Sequence, residues 1–381
     1  MNKMSLSNTF TNPLIEMILT RARECGLKIY IVGGSVRDIL IGETVFSDID
    51  MVYDGDFDSF REVLFSEVPF KRLVFSKKGF LTERFCFRKV MVDFQPIEGG
   101  NLERDAYHRD FTINALFLEL TETGEFSVYD YVDGLSDLEK RRIRCVSDTV
   151  FSDDPLRILR LFRMAVSHEF VYTDEELRVA KEHVARLSLV ARERMRSEVE
   201  KIFPETPLYI LRDMHSIGVD IALFGFEIDF TRYTPMKTLR NCVYRLFATH
   251  GAGTTLAEWG KAMTFSTRDC VAWHTIHEID VFPDSRSEIE YYQYFHARPI
   301  TVLTAAYDYF VEIGSALQIA RLDRIIRHHV RCVDGNRIKE EFHVEGHALG
   351  KVSDALHCVQ IRIDESNPDA VLKRYREGLD F

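Results

Sequence analysis

The sequence is poor in cysteine, and what it has lacks any useful spacing. Its seven cysteines (25, 86, 145, 242, 270, 332 and 358) are odd in number, scattered and without a C-x-x-C pair. That excludes a disulfide framework and a cysteine-based zinc site. The thirteen histidines contain no H-E-x-x-H pattern. No run approaches the roughly 20 apolar residues a membrane span needs. The opening MNKMSLSNTFTNP has no apolar core of a secretory signal. With 20 glycines and 10 prolines in 381 residues, the chain is neither collagen-like nor low in complexity. Residues that are 46% hydrophobic and 29% charged exclude disorder on a large scale. Positive charge is also short. Lys and Arg number 49 against 60 Asp and Glu, a net charge of −11, so any nucleic-acid partner must be held by a local basic patch. The expectation is a reduced, cytoplasmic, multidomain chain with no membrane segment and no evident obligate protein partner.

What is present falls into two textures. Residues 1–145 alternate helix and strand signals. Asn12-Pro13 reads as an N-cap and N1 proline, followed by Leu14, Ile15, Ile18, Leu19 and Ala22 at helical spacing and by Gly26 as a stop. Residues 28–32 are a β-branched run ending at Gly33-Gly34, and 36–40 restart a helix. Residues 47–53 alternate acid and apolar, the pattern of a half-buried strand; 56–67 fit an amphipathic helix. Residues 84–94 predict two strands joined at Lys89. From Ser152 onward the signals are helical, over 155–168, 174–187 and 192–203. Loops are expected at 204–207, 251–255 and 283–286, and a long helical stretch at 299–329. The predicted fold is an α/β head, a sheet with helices, followed by an all-α stem.

Three strings carry chemistry. The first is Gly33-Gly34-Ser35-Val36-Arg37-Asp38, followed ten residues on by Asp48-Ile49-Asp50. Paired glycines after a strand let backbone amides approach a ligand closely, and the helix start behind them favours an anion. On a strand, Asp48 and Asp50 share a face while Ile49 points the other way. Two adjacent carboxylates call for a cation, and their oxygens suit Mg²⁺ that also binds substrate phosphates. Asp93, two residues after Met91 on a predicted strand, can complete such a shell from a neighbouring strand. The second string is His108-Arg109-Asp110-Phe111-Thr112-Ile113-Asn114-Ala115. The third is Asp153-Asp154-Pro155-Leu156-Arg157-Ile158-Leu159-Arg160. Taken singly, each has a structural reading: a glycine turn with surface acids, or a helix capped by Asp154 with Pro155 at N1.

Asp154 and Arg157 lie about one helical turn apart and face the same way. A carboxylate beside a guanidinium matches the Watson–Crick edge of cytosine or adenine, which pair an amine with a ring acceptor. It mismatches uracil and guanine. Side chains alone can therefore select C and A. Arg160, a turn further on, is placed to reach a triphosphate.

In this order the strings resemble the class II tRNA nucleotidyltransferases and bacterial poly(A) polymerases, members of the polymerase-β-like nucleotidyltransferase superfamily. The resemblance extends through DYVDGLSDLEKRRIR (130–144) and RERMRSEVEKI (192–202) and so covers residues 31–203. It implies a catalytic head at 1–145, a base-reading helical neck at 146–204, a helical body at 205–298 and a tRNA-binding tail at 299–381, where 344–356 is a further faint match. It implies that Asp48 and Asp50 hold two Mg²⁺ ions and activate the RNA 3′-hydroxyl. Gly33, Gly34 and Arg37 then cradle the triphosphate. Arg109 and Asp110 read the ribose with its 2′-hydroxyl, Asp153, Asp154 and Arg157 form the amino-acid template, and Ser35 and Asn114 are further nucleotide-binding candidates. Its partners would be the tRNA 3′ end and CTP, with ATP for a full CCA end.

Two departures stand out. His108 replaces the first of two arginines usual in the family, which weakens one phosphate contact or makes it pH-dependent. Arg109 follows Asp93 by only sixteen positions, where many CCA-adding members carry a longer loop; the shortness resembles the CC-adding subgroup. Poly(A) or A-only addition by the same fold, and an inactive RNA-binding relative, are the alternatives. In the tail, Arg321, Arg324, Arg327, His328 and Arg331 form a basic stripe, read equally as a tRNA backbone grip or as intramolecular ion pairs. The run Tyr291-Tyr292-Gln293-Tyr294-Phe295 fits helix packing better than base stacking.

Overall fold

The computed structural model describes residues 2–6, 12–43, 48–67, 70–77, 80–87, 90–121, 125–204, 206–229, 236–251, 255–283 and 286–378. The expected turn at Lys89 and parts of the loops expected at 204–207, 251–255 and 283–286 lie outside these residues. The chain divides into two compact units, Met1–Val190 with Tyr209–Leu223, and Ala191–Leu208 with Phe224–Phe381.

The first unit is built on one sheet of eight strands: β1 (Asn2–Leu6), β2 (Lys28–Val32), β3 (Asp48–Asp54), β4 (Lys71–Lys77), β5 (Phe80–Phe87), β6 (Val90–Pro96), β7 (Leu116–Leu120) and β8 (Phe126–Asp130). Their order is β1-β8-β7-β2-β3-β6-β5-β4. Among the described strands only β3 and β6 pair in parallel, with Ile49 opposite Val92 and Asp50 opposite Asp93. Facing residues of parallel strands share a side of the sheet. Ile49, Met51, Val92 and Phe94 therefore lie on one side, all buried. The helix Phe57–Glu67 covers them, with the Phe57 and Phe94 rings 5.2 Å apart. The acids project from the other side.

Local sequence explains these elements. Asn12 Oδ1 accepts the Leu14 amide at 3.1 Å, Pro13 occupies N1, and the helix Pro13–Glu24 buries Ile15, Ile18, Leu19 and Ala22. The helix Gly34–Leu40 begins directly at the paired glycines, two residues earlier than the sequence suggests. The helix expected from Pro155 starts at Arg157 instead, and runs to His168.

The second unit is helical throughout its described residues. The stretch expected at 299–329 is two helices, Ile300–Ile313 and Ala316–Arg327. Between them Gly314 takes φ 73°, a left-handed conformation glycine adopts without cost, and closes the first helix. Near the C-terminus Val333, Ile338, Leu356, Val359, Val371 and Leu372 form a local apolar core. Tyr291, Tyr292 and Phe295 are buried, so the aromatic run serves packing. All seven cysteines are free. No helix among the described residues is long and apolar enough to cross a membrane.

Candidate active site

The acidic side of the sheet gathers the first string. Asp48 and Asp50 are exposed on either side of buried Ile49. Asp50 pairs across β3 with Val32, the last residue of β2, so the glycine turn that follows lies beside it. Gly33 has φ 73°. A Cβ there would stand 3.4 Å from Arg109 Nη1 and 3.9 Å from Asp50 Oδ2. The turn, one carboxylate and one guanidinium thus meet at a point, and only glycine takes this conformation without strain. Ser35 Oγ donates to the Asp48 carbonyl at 3.3 Å and ties the turn to β3.

Asp93 faces Asp50 in register, but both of its oxygens are already engaged. Arg84, opposite it on β5, donates from Nε at 2.7 Å and from Nη2 at 2.8 Å, and Asp93 is only 6% exposed. This differs from the expectation that Asp93 completes a metal shell. A bidentate guanidinium neutralises it instead. The β5–β6 register sets Arg84 against Asp93, nine positions apart in the run predicted as two strands.

A second network lies buried behind the turn. Arg37, 5% exposed, donates from Nη1 to Asn114 Oδ1 (2.7 Å) and from Nε to Asp38 (2.8 Å), and its Nη2 stands 3.1 Å from His168 Nε2. Burial and Arg37 push His168 down to about 4, so its neutral ring accepts from the guanidinium. Arg37, a triphosphate contact by the family resemblance, is in this structure a buried strut from the glycine helix to the helix Arg157–His168. Asp110 is equally occupied. It accepts from the Phe111 amide (2.8 Å), Asn114 Nδ2 (3.1 Å) and Arg160 Nε (2.7 Å). Burial alone raises such a carboxyl, but Arg160 and the hydrogen bonds outweigh it and hold Asp110 well below the usual carboxylate range. Asp110, Asn114 and Arg160, expected at the nucleotide, bind one another here.

The third string packs against the second. Asp154 Oδ1 accepts the Leu156 amide at 3.3 Å, so it caps the turn as its sequence suggests, while Asp153 stays exposed with Oδ2 accepting from Thr149 Oγ1 at 3.0 Å. Arg157 is buried and donates to the Val150 carbonyl (3.3 Å) and the His108 carbonyl (2.5 Å). A guanidinium has five N–H groups, so these two acceptors leave three.

The short segment before Arg109 is folded and pinned. The Ile97 amide donates to the Tyr53 carbonyl at 2.9 Å. A 3₁₀ turn, Glu98–Gly100, leads into the helix Leu102–Tyr107, capped by Asn101. Gly99 and Gly100 both take positive φ, 61° and 67°. His108 Nδ1 lies 2.9 Å from the Arg104 carbonyl and 3.2 Å from Glu98 Oε1, so this ring faces its own segment. Arg109 lies over the Phe117 ring at 5.1 Å.

The basic stripe of the tail resolves into ion pairs. Arg321 is 5% exposed and donates to Glu288 at 2.8 Å; Arg324 donates to the Tyr292 hydroxyl at 3.1 Å. Arg327 binds Asp323 and Asp364, and Arg331 binds Ser353 and Asp354. Of the two readings of the stripe, these contacts are the intramolecular ion pairs; Arg327 and Arg331 keep about half of their surface exposed.

For the metal, the donor chemistry fits. Asp48 and Asp50 offer hard carboxylate oxygens on one exposed face. Among the described residues no set of three or more His, Cys, Asp or Glu is gathered to hold an ion. The chain would thus supply the carboxylate part of a shell that substrate phosphates and water complete, as Mg²⁺ sites of this kind require.

Comparison with known proteins shows what the chain is similar to. Residues 29–144 match the family described as the poly A polymerase head domain. A CC-adding tRNA nucleotidyltransferase of Geobacter sulfurreducens is 34% identical, over 56% of this chain and 50% of that protein. A CCA-adding enzyme of Streptococcus uberis is 32% identical, over 53% of this chain and 52% of its own. The chain spans about half the length of the curated relatives it matches. Among solved structures, a Thermotoga maritima CCA-adding enzyme complexed with tRNA superposes with a TM-score of 0.78 at 20% identity, covering 100% of both chains. A CCA-adding enzyme with CTP gives 0.77 at 21% identity, covering 100% of this chain and 98% of that one. These two likenesses are of fold. Over residues 29–144 the chain is therefore similar to the poly A polymerase head domain, and its fold is that of the solved CCA-adding enzymes.

Proposed function

We propose that this protein is a template-independent nucleotidyltransferase that adds CMP from CTP to tRNA 3′ ends and releases pyrophosphate. In narrower terms, we read it as CC-adding. The observation that carries the reading is the meeting of Asp50, the Gly33 turn and Arg109, with Arg157 tied through the His108 carbonyl to the same string. The head at 1–145 holds the reacting phosphates, and the neck at 146–204 reads the base. The RNA 3′-oxygen attacks the α-phosphorus, the new P–O bond forms, and the bond to the β-phosphate oxygen breaks. Bound Mg²⁺ supplies Lewis-acid charge on the phosphates and acidifies the 3′-hydroxyl. Asp48 and Asp50 would hold the ions, the Gly33 turn brings backbone close to the phosphates, and Arg109 places positive charge beside them. Asp154 accepts from the cytosine amine, and the remaining Arg157 N–H groups donate to its ring acceptors.

Arg157→Ala is expected to cost discrimination more than turnover. Without the guanidinium, the preference for CTP over UTP falls by roughly 1–3 kcal/mol. Competition between the two nucleotides measures it, and a variant that keeps full discrimination shows that the base is read elsewhere.

The CC-adding reading rests on the pinned 95–108 segment. One template serves both cytosine and adenine only if the pocket rearranges, and a segment fixed by Tyr53, Asp105 and Asn101 has little reach to bias that change. The 34% identity to a CC-adding enzyme supports it too. Single-turnover extension decides: tRNA ending at the discriminator base should gain two C residues from CTP, and tRNA ending in CC should gain A slowly. Rapid AMP addition to the CC end returns the chain to full CCA addition, and repeated AMP addition would make it a poly(A) polymerase.

A further inference from the structure

Arg109 is the second-string arginine nearest the glycine turn, and its orientation is set by one residue outside every string discussed above. Asp105, in the helix Leu102–Tyr107, is 7% exposed. Its Oδ1 accepts from Arg109 Nε at 2.9 Å and from Nη2 at 2.7 Å. Its Oδ2 accepts the Glu98 amide at 3.2 Å. One carboxylate thus takes two of the three guanidinium nitrogens. The third, Nη1, is the atom that stands 3.4 Å from where a Gly33 Cβ would lie. The Phe117 ring supports the flat face of the same group. Burying a carboxylate is costly unless it is paired, and Arg109 is the charged partner of this one. The same group also anchors the first residue of the 3₁₀ turn, so the short segment and Arg109 move as one piece.

We propose that Asp105 is a positioning residue for nucleotide binding: it holds Arg109 so that Nη1 faces the phosphate site at the Gly33 turn. This rests on the reading under Proposed function. Asp105 touches no substrate; its whole effect passes through Arg109. Without it the arginine gains rotamers and loses its aim, which weakens triphosphate binding and leaves the chemical step intact.

The test compares the full chain with Asp105→Ala, Asp105→Asn, Arg109→Ala and the Asp105→Ala/Arg109→Ala double variant. CTP affinity with Mg²⁺ is measured by calorimetry, kcat and KM by tRNA extension, and folding by thermal unfolding. Asp105→Ala should weaken CTP binding and raise KM by about tenfold, as loss of a bidentate charge-assisted contact implies, with kcat within about twofold. Asp105→Asn keeps one acceptor for Arg109 and serves if the alanine variant fails to fold; its loss should be smaller and in the same direction. Placed on Arg109→Ala, the Asp105 substitution should add nothing. Folded variants that bind CTP like the wild type overturn the proposal. So does an undiminished Asp105 effect in the Arg109→Ala background. A wild type that neither binds CTP nor extends tRNA overturns the functional reading itself, and that failure is read from the wild type alone.

Discussion

Asp48→Ala and Asp50→Ala are each expected to abolish nucleotide addition and to leave the unfolding temperature unchanged. Both side chains are exposed on the acidic side of the sheet, so neither contributes packing that the fold would miss. Losing a metal ligand should cost several kcal/mol of barrier. At about 1.4 kcal/mol per tenfold, that is a rate loss of roughly a thousandfold or more. Asp93→Asn, by contrast, should act chiefly on the β5–β6 hairpin, because its carboxylate already holds Arg84. Single-turnover CMP incorporation beside thermal melts separates the two. Turnover within tenfold of wild type for either Asp48 or Asp50 would remove them from the metal site.

Asp110→Ala is expected to behave in the opposite way, as a folding defect before a catalytic one. The carboxylate is buried and serves Arg160, Asn114 and the Phe111 amide together. Removing it strands the buried Asn114 and Phe111 donors and leaves the partly exposed Arg160 unpaired, at a cost of about 1–3 kcal/mol. The sign with pH follows from the depressed carboxyl. Because Asp110 ionises more readily in the folded chain, its contribution is fully present above the unfolded value of about 3.9 and fades as pH falls toward the folded one. Urea unfolding should therefore separate wild type from Asp110→Asn strongly at pH 7, and the gap should narrow as the pH is lowered below about 4. A gap that stays constant, or widens on acidification, would contradict the buried ion pair.

Sequence and structure agree where chemistry and local pattern coincide. Residues 28–32 and 48–50 are legible because β-branched runs, alternating acids and paired glycines each act within a few residues. Asn12-Pro13 writes its helix start for the same reason. What escaped was pairing at long range. Arg37 reads as a phosphate ligand, yet it meets Asn114 and His168, which lie 77 and 131 positions away. Asp110 and Arg160 read as two ligands and are one buried pair, 50 positions apart. Charge alone does not say whether a partner is substrate or protein. The tail stripe is alike, since its partners Glu288 and Asp354 lie on other helices and Asp364 caps one. Asp105 carried a signal that went unused: its spacing of four from Arg109 favours a pair on one helical face.

The central claim is that side chains at the start of the helix Arg157–His168 choose cytosine, and those of the sheet and the glycine turn join it to RNA, without a nucleic-acid template. The most direct test supplies each of the four nucleoside triphosphates singly, with Mg²⁺, to the purified chain and a labelled tRNA ending at its discriminator base. The account predicts two additions from CTP, almost none from UTP or GTP, and none with any nucleotide when Mg²⁺ is chelated. No extension by CTP, or equal extension by CTP and UTP, would contradict it.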